Sequence, residues 1–146
     1  MNKDLRMQGN EFYEFVNVNP KGKFRGDCVI RAIALATGQS WEQTVRELTE
    51  LGIKKGLVCN DSTLYPKYLE SKGFREIKEP RDVCNRKITV REFINEEQLD
   101  ENQLTAIVMN VGSHHVSCIM DGKVKDIWDC SRNTMHKYWY RKLRDC

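Results

Sequence analysis

The residues of this chain best suited to chemistry begin with a cysteine. Cys28 follows Gly26-Asp27 and opens a run, 29–38, that is apolar at nearly every position. Such a run predicts a buried helix, and the unpaired N–H groups at a helix N-terminus favour the thiolate over the thiol. Because the thiolate is the nucleophilic form of cysteine, Cys28 is the candidate nucleophile.

A cysteine nucleophile needs a base that accepts its proton, and the base needs a partner that orients it. Two of the chain's three histidines, His114 and His115, are adjacent and open a predicted strand. Asp121-Gly122 is a strong signal for a two-residue hairpin turn. Pairing outward from this turn sets Ser117 opposite Asp126, so that His115 and Asp126 become diagonal neighbours within reach of a hydrogen bond.

Both partners have an alternative in the sequence. A register slip of one residue would exchange His115 for His114, and we favour His115 because the apolar part of the strand begins directly after it. Asp129 is the alternative to Asp126, which is favoured because it stands directly before Ile127-Trp128.

Hydrophobic periodicity and turn signals predict the elements that position these residues. Helices are predicted at 28–38, at 41–51 with a stop at Gly52, and between a cap at Asp61 or Ser62 and a stop at Gly73; a short helix follows Thr89. Strands are predicted at 11–18, 74–77, 104–109, 115–120, 123–128 and 136–143. Helices thus come first and an antiparallel sheet follows, which is the order expected of an α+β domain.

Length and composition indicate a single domain over residues 1–146, since 40% hydrophobic residues are enough to form a core. The formal charge is only +3, with basic residues scattered among acidic ones, so we expect no nucleic-acid partner. No apolar run approaches the roughly 18 residues of a membrane span, and no signal-peptide core is present. We therefore expect a cytoplasmic protein whose six cysteines are reduced.

Metal and nucleotide sites find little support in the sequence. His114, His115, Cys118 and Cys130 match no common zinc spacing, and adjacent residues on a strand point to opposite faces. Phosphate-binding glycine loops are absent from the sequence. We expect neither a metal nor a cofactor.

Two short motifs around the candidate residues are similar to those of a known family. Gly26-Asp27-Cys28 with its apolar helix, and Asp126-Ile127-Trp128, occur in the order of the nucleophile helix and the Asn-Ser-Trp motif of papain-like cysteine peptidases. The chain also resembles small papain-like proteins of bacteria and their phages. The resemblance covers residues 17–130 and implies a nucleophile helix packed on a C-terminal antiparallel sheet. It implies that Cys28 is the nucleophile, His115 the general base and acid, and Asp126 the orienting group.

The oxyanion site departs from the family pattern. A glutamine about six residues before the cysteine usually helps to hold the oxyanion, and that position is Gly22 here. Asn17 and Asn19 are the nearest amides and become the candidates, with the backbone N–H of Cys28 as the second donor. The expected activity is hydrolysis of a peptide or other amide bond, with a peptide or protein as substrate.

A binding module that keeps the fold without the activity is the alternative function. The short chain and the missing glutamine favour it, and a phage protein that engages a host factor is one example. The distance between Cys28 Sγ and the His115 ring separates the two hypotheses, because a nucleophile and its base must come within hydrogen-bond reach.

Overall fold

The computed structural model describes residues 7–100 and 105–142, and the predicted strand residues Leu104 and Leu143, like Cys146, lie outside these ranges. The described residues form four helices and six strands in an α+β arrangement, as the sequence predicts. In chain order they are β1 (Tyr13–Phe15), α1 (Cys28–Thr37), α2 (Trp41–Lys55), α3 (Tyr65–Ser71), β2 (Arg75–Ile77), α4 (Val90–Glu96), β3 (Thr105–Val111), β4 (His115–Met120), β5 (Lys123–Asp126) and β6 (Met135–Lys142). None of these helices is both long and apolar enough to cross a membrane.

The six strands form one mixed sheet in the order β1-β5-β4-β3-β6-β2. The C-terminal strands pair antiparallel as expected, but the sheet as a whole is mixed, because β1 runs parallel to β5 at one edge. Only antiparallel strands can be joined by a tight hairpin, whereas a long connection permits either direction. All four helices lie between β1 and β5 in the chain, so no hairpin constrains the direction of β1.

The turn between β4 and β5 fixes the register that the sequence predicts. Asp121 and Gly122 both have positive φ, 55° and 72°, as a type I′ hairpin turn requires. A Cβ on Gly122 would lie 2.5 Å from the backbone of Asp100, so this position also needs glycine for space. The ladder pairs Met120 with Lys123 and confirms the outward count from the turn.

Two apolar clusters form the core. One contains the buried faces of α1, α2 and α3 together with residues of β3, β4 and β6. The other contains α4, residues of β1 and the remaining buried residues of the sheet strands. Helix α1 packs closely on β4 and ends at Gly38, which has a left-handed conformation with φ of 75°. The start of α1 is thereby held beside the sheet.

Capping signals predict the starts of two helices correctly. Ser40 accepts a hydrogen bond from the backbone N–H of Gln43 at 3.0 Å, and Thr89 heads a complete capping box at α4. The side chain of Gln43 reaches Glu47 rather than back to the cap. Asp61 does not cap α3, since its carboxylate accepts from Thr63 in the preceding turn.

Helix α2 is longer than predicted because Gly52 is an interior packing position and not a stop. The helix continues to Lys55 and ends at Gly56, which has φ of 72° and donates to the carbonyl of Gly52. Gly52 is buried, and a Cβ there would lie 2.2 Å from the carbonyl oxygen of Leu57. The close return of the chain after the helix therefore excludes a side chain at this position.

We expect Gly52→Ala to destabilise the protein by about 1–3 kcal/mol, as overpacking of a tight contact does. An exposed helical glycine shows the opposite effect, since alanine is the better helix former. Ile53→Ala is the control, because Ile53 is the next residue of the same helix and is 76% exposed. Urea unfolding measures both changes, and a stabilised Gly52→Ala would contradict the packing role.

Candidate active site

One helix and two strands each bring a terminal residue to the same place in the fold. Cys28 is the first residue of α1, His115 the first of β4 and Asp126 the last of β5. The tight turn between β4 and β5 brings His115 and Asp126 to the same end of the hairpin. The backbone N–H of Val116 donates to the Cys28 thiol, which holds the start of α1 against β4.

His115 lies between the carboxylate of Asp126 and the thiol of Cys28. Its Nε2 lies 2.6 Å from Oδ2 of Asp126, and the Cys28 thiol is close enough to the ring to raise the pKa of the imidazole. Because Nε2 is occupied by the carboxylate, Nδ1 is the nitrogen left for the thiol. The ring of Trp128 packs against the imidazole with centroids 4.9 Å apart. Cys28, His115 and Asp126 therefore lie in one continuous row.

The Asp126 carboxylate is buried and saturated with hydrogen bonds. Besides His115, it accepts from the hydroxyl of Ser117 and, at 2.7 Å, from the backbone N–H of Ile127. Only 4% of the residue is exposed. These donors fix the orientation of the carboxylate.

The electrostatics of the pair favour a thiolate and an imidazolium. Burial raises the pKa of Cys28, but hydrogen bonds from His115 and Val116 and the charges of His115 and Arg31 lower it below the ordinary value. Burial lowers the pKa of His115, but its bonds to Asp126 and Cys28 outweigh this and raise the pKa to about 9. Near neutral pH the imidazole is therefore protonated, and its charge favours the thiolate form of Cys28.

Arg31 connects the site to the core of α1, a role that the sequence reasoning missed. The guanidinium is 5% exposed and forms an ion pair with Asp27 one turn earlier, while its other nitrogen lies 3.7 Å from Oδ1 of Asp126. A buried charge requires a partner. The signal was present in the sequence, since Arg31 is the one charged residue in the otherwise apolar helix.

The alternative residues lie elsewhere or face solvent. His114 is exposed in the turn before β4 and lines the cleft beside Cys28. Asp129 accepts from Asn10 at 3.0 Å and pairs with Arg91 at 3.4 Å, away from the imidazole. The structure thus brings together Cys28, His115 and Asp126.

The two amides expected at the oxyanion are engaged outside the cleft. The Asn17 amide donates to the carbonyl of Lys23 at 3.1 Å, and the Asn19 amide donates to Asp27 at 2.9 Å. Neither residue is among those that line the cleft. The loop before α1 uses both amides to hold its own conformation, so the structure does not bring them to Cys28.

A cleft of about 510 Å³ opens over the thiol. Its walls hold all three histidines of the chain but no carboxylate side chain. The other polar lining residues, which the sequence reasoning did not single out, are Asn60, Ser62, Tyr65, Asn110 and Ser113. The residues converge only through tertiary packing, so no local sequence signal marks them.

The ligand atoms of His115, Asp126 and Cys130 lie within 4.8 Å of one another. A metal would need a deprotonated cysteine and a neutral imidazole. Burial raises the pKa of Cys130, whereas the pKa of His115 is raised to about 9. The protonation of both groups therefore disfavours a metal, and hydrogen bonds already use the carboxylate.

Free thiols are found at Cys28, Cys59, Cys84, Cys118 and Cys130. Cys118 and Cys130 are fully buried, and burial raises the pKa of both thiols. Cys84 is exposed. Among these cysteines, Cys28 is distinguished by a lowered pKa and a histidine partner.

No protein-family model matches this chain, and no curated protein or solved structure is significantly similar to it. What the site can do therefore rests on its own geometry and electrostatics.

Replacement of the buried guanidinium tests the charge network. We expect Arg31→Leu to destabilise the protein by about 3–5 kcal/mol, because the buried carboxylate of Asp27 loses its positive partner and that of Asp126 keeps only His115. Arg46→Leu is the matched control, since Arg46 also pairs with an acid four residues earlier but is 77% exposed. Chemical denaturation compares the two variants, and equal losses would contradict a special role for the buried pair.

Proposed function

We propose that this protein is a cysteine hydrolase with a papain-like fold and active site, which cleaves a peptide or other amide bond. The arrangement of Cys28, His115 and Asp126 is the observation that carries the proposal: the carboxylate holds the imidazole, and the imidazole and the thiol both line an open cleft and influence each other's pKa. The proximity of thiol and imidazole favours an enzyme over an inactive binding module. Unpaired thiols suit a reducing compartment, and we place the protein in the cytoplasm.

In the first half of the reaction the Cys28 thiolate attacks the carbonyl carbon of the substrate. A carbon–sulfur bond forms and the π electron pair of the carbonyl moves to oxygen. As the tetrahedral intermediate collapses, the bond to nitrogen breaks and the leaving amine takes the proton of His115. The product of this half is a thioester on Cys28 and a neutral His115.

In the second half His115 acts as a base. It removes a proton from water, whose oxygen attacks the thioester carbon, and the carbon–sulfur bond then breaks to release the acid. The thiolate and the imidazolium are restored. Throughout, the Asp126 carboxylate keeps the ring oriented and stabilises its positive charge, which is the part that a third residue has in such triads.

Selective alkylation tests whether Cys28 is the activated thiol. We expect iodoacetamide at neutral pH to label Cys28 faster than the exposed Cys84, because thiolates react and thiols do not. His115→Ala removes the stabilising partner and should bring the rate at Cys28 down to that of an ordinary thiol. Mass spectrometry of peptides from a time course measures both rates in one sample.

Equal labelling of Cys28 and Cys84 in the unaltered protein would overturn the proposal and favour the binding module. Cys28→Ala provides the assignment control, since the fast-labelled peptide must disappear. The same variant should lose all hydrolysis of p-nitrophenyl acetate, an activated ester used as a probe.

The pH profile tests the role of Asp126. We expect kcat/KM for p-nitrophenyl acetate to fall on the alkaline side near pH 9, where His115 loses its proton. On the acid side kcat/KM should fall only at a pH below the usual pKa of a cysteine thiol, because the pKa of Cys28 is lowered. Asp126→Asn removes the charge that raises the pKa of His115, so the alkaline limb should move to lower pH.

Asp129→Asn is the matched control for this profile, because Asp129 is also partly buried and hydrogen-bonded but does not contact the imidazole. Its alkaline limb should stay near pH 9. A limb that remains in place in Asp126→Asn, with the fold intact by circular dichroism, would exclude the carboxylate from the triad.

A further inference from the structure

The strand order of the sheet gives the Cys28 thiol different neighbouring strands on its two sides. β4 lies between β5 and β3 in the sheet, and its residue Val116 contacts the thiol. The base points to the β5 side, where Asp126 holds it. On the β3 side, the residue paired with Val116 is Asn110. An asparagine that lines the same cleft as Cys28 therefore lies on the strand at the opposite side of β4 from Asp126.

Tyr65 of α3 orients this asparagine. Its hydroxyl donates a hydrogen bond to Oδ1 of Asn110 at 2.9 Å. This bond fixes the orientation of the amide, with its oxygen toward Tyr65. Tyr65 is only 4% exposed and packs in the same apolar cluster as Val116 and Cys28. Since the oxygen of the amide is occupied by the phenol, its Nδ2 remains as a donor. That nitrogen forms no hydrogen bond within the part of the chain that the structure describes, and both residues line the cleft.

The start of α1 supplies a second unused donor. Asp27 occupies the N-cap position but makes no capping hydrogen bond with its side chain. Its carboxylate is turned to Asn19, Arg31 and Trp41 instead. The N–H of Cys28, at the first helical position, has no intrahelical acceptor, as holds for the first N–H groups of every helix.

We propose that Nδ2 of Asn110, aligned by Tyr65, and the backbone N–H of Cys28 form the oxyanion hole. This inference rests on the proposed function. It assigns the role of oxyanion donor, for which Asn17 and Asn19 were the candidates from the sequence. When the carbon–sulfur bond forms, the carbonyl π pair moves to oxygen, and the two donors stabilise the negative charge there. Asn110 is thus a catalytic residue, and Tyr65 is a positioning residue that acts through it.

The test compares two reactions of the same thiol. Hydrolysis of p-nitrophenyl acetate passes through an oxyanion, whereas alkylation by iodoacetamide displaces iodide at a saturated carbon and forms none. For Asn110→Ala we expect kcat for the ester to fall by about 10²- to 10³-fold, the usual loss for one oxyanion donor. The alkylation rate of Cys28 should stay unchanged.

Tyr65→Phe tests the positioning role with a smaller change of structure. We expect a smaller loss in kcat than for Asn110→Ala, with KM and the alkylation rate unchanged. Tyr68→Phe is the matched control, because Tyr68 lies on the same helix and its hydroxyl is also hydrogen-bonded, to Gln39 and Glu47. Its kcat should equal that of the unaltered protein.

The outcomes separate this inference from the proposed function. Fast alkylation of Cys28 with an unchanged kcat in Asn110→Ala would overturn the oxyanion assignment alone. An equal fall in alkylation and hydrolysis would also overturn it, since Asn110 would then act on the thiol. If Asn110→Ala fails to fold, the comparison of Tyr65→Phe with Tyr68→Phe decides, and equal kcat values overturn the inference. Slow alkylation of Cys28 in the unaltered protein would overturn the proposed function itself.

Discussion

The rest of the site depends on one buried carboxylate. Asp126 is almost fully excluded from solvent, and a charge in that position is costly unless every oxygen is paired. Its partners come from three places in the chain: the guanidinium of Arg31 in α1, the imidazole and a hydroxyl in β4, and the backbone N–H that follows it. Satisfying this single group therefore requires the helix, the strand and the hairpin to meet in one arrangement.

The negative charge of Asp126 also affects the pKa values of the neighbouring His115 and Cys28. Asp126 raises the pKa of His115, and the resulting imidazolium helps to lower the pKa of Cys28. Arg31 balances part of the negative charge of Asp126, and its guanidinium also forms an ion pair with Asp27. Structural pairing and thiol activation are thus two effects of one network. A substitution in it is expected to change stability and reactivity together, which is why exposed or distant residues make the informative controls.

Local signals were enough to predict the central part of this network. The Asp121-Gly122 turn defines the register, and the register alone places His115 near Asp126. The apolar run and the terminal Gly38 likewise predicted α1. What the sequence did not predict depends on distant parts of the chain: the parallel edge strand β1, the tight packing at Gly52, and the hydrogen bond from Tyr65 to Asn110, residues 45 positions apart. No short pattern encodes such contacts.

The loop before α1 explains why the side-chain amides nearest to Cys28 in the sequence do not reach it. Asn19 stands close to Cys28 in sequence, but its amide holds Asp27, whose carboxylate is needed to balance Arg31. An aspartate used in this way cannot cap its helix, and a lost N-cap costs about 1 kcal/mol. The cap and the ion pair with Arg31 are therefore alternative uses of one carboxylate, and this fold uses it for the ion pair that connects α1 with Asp126.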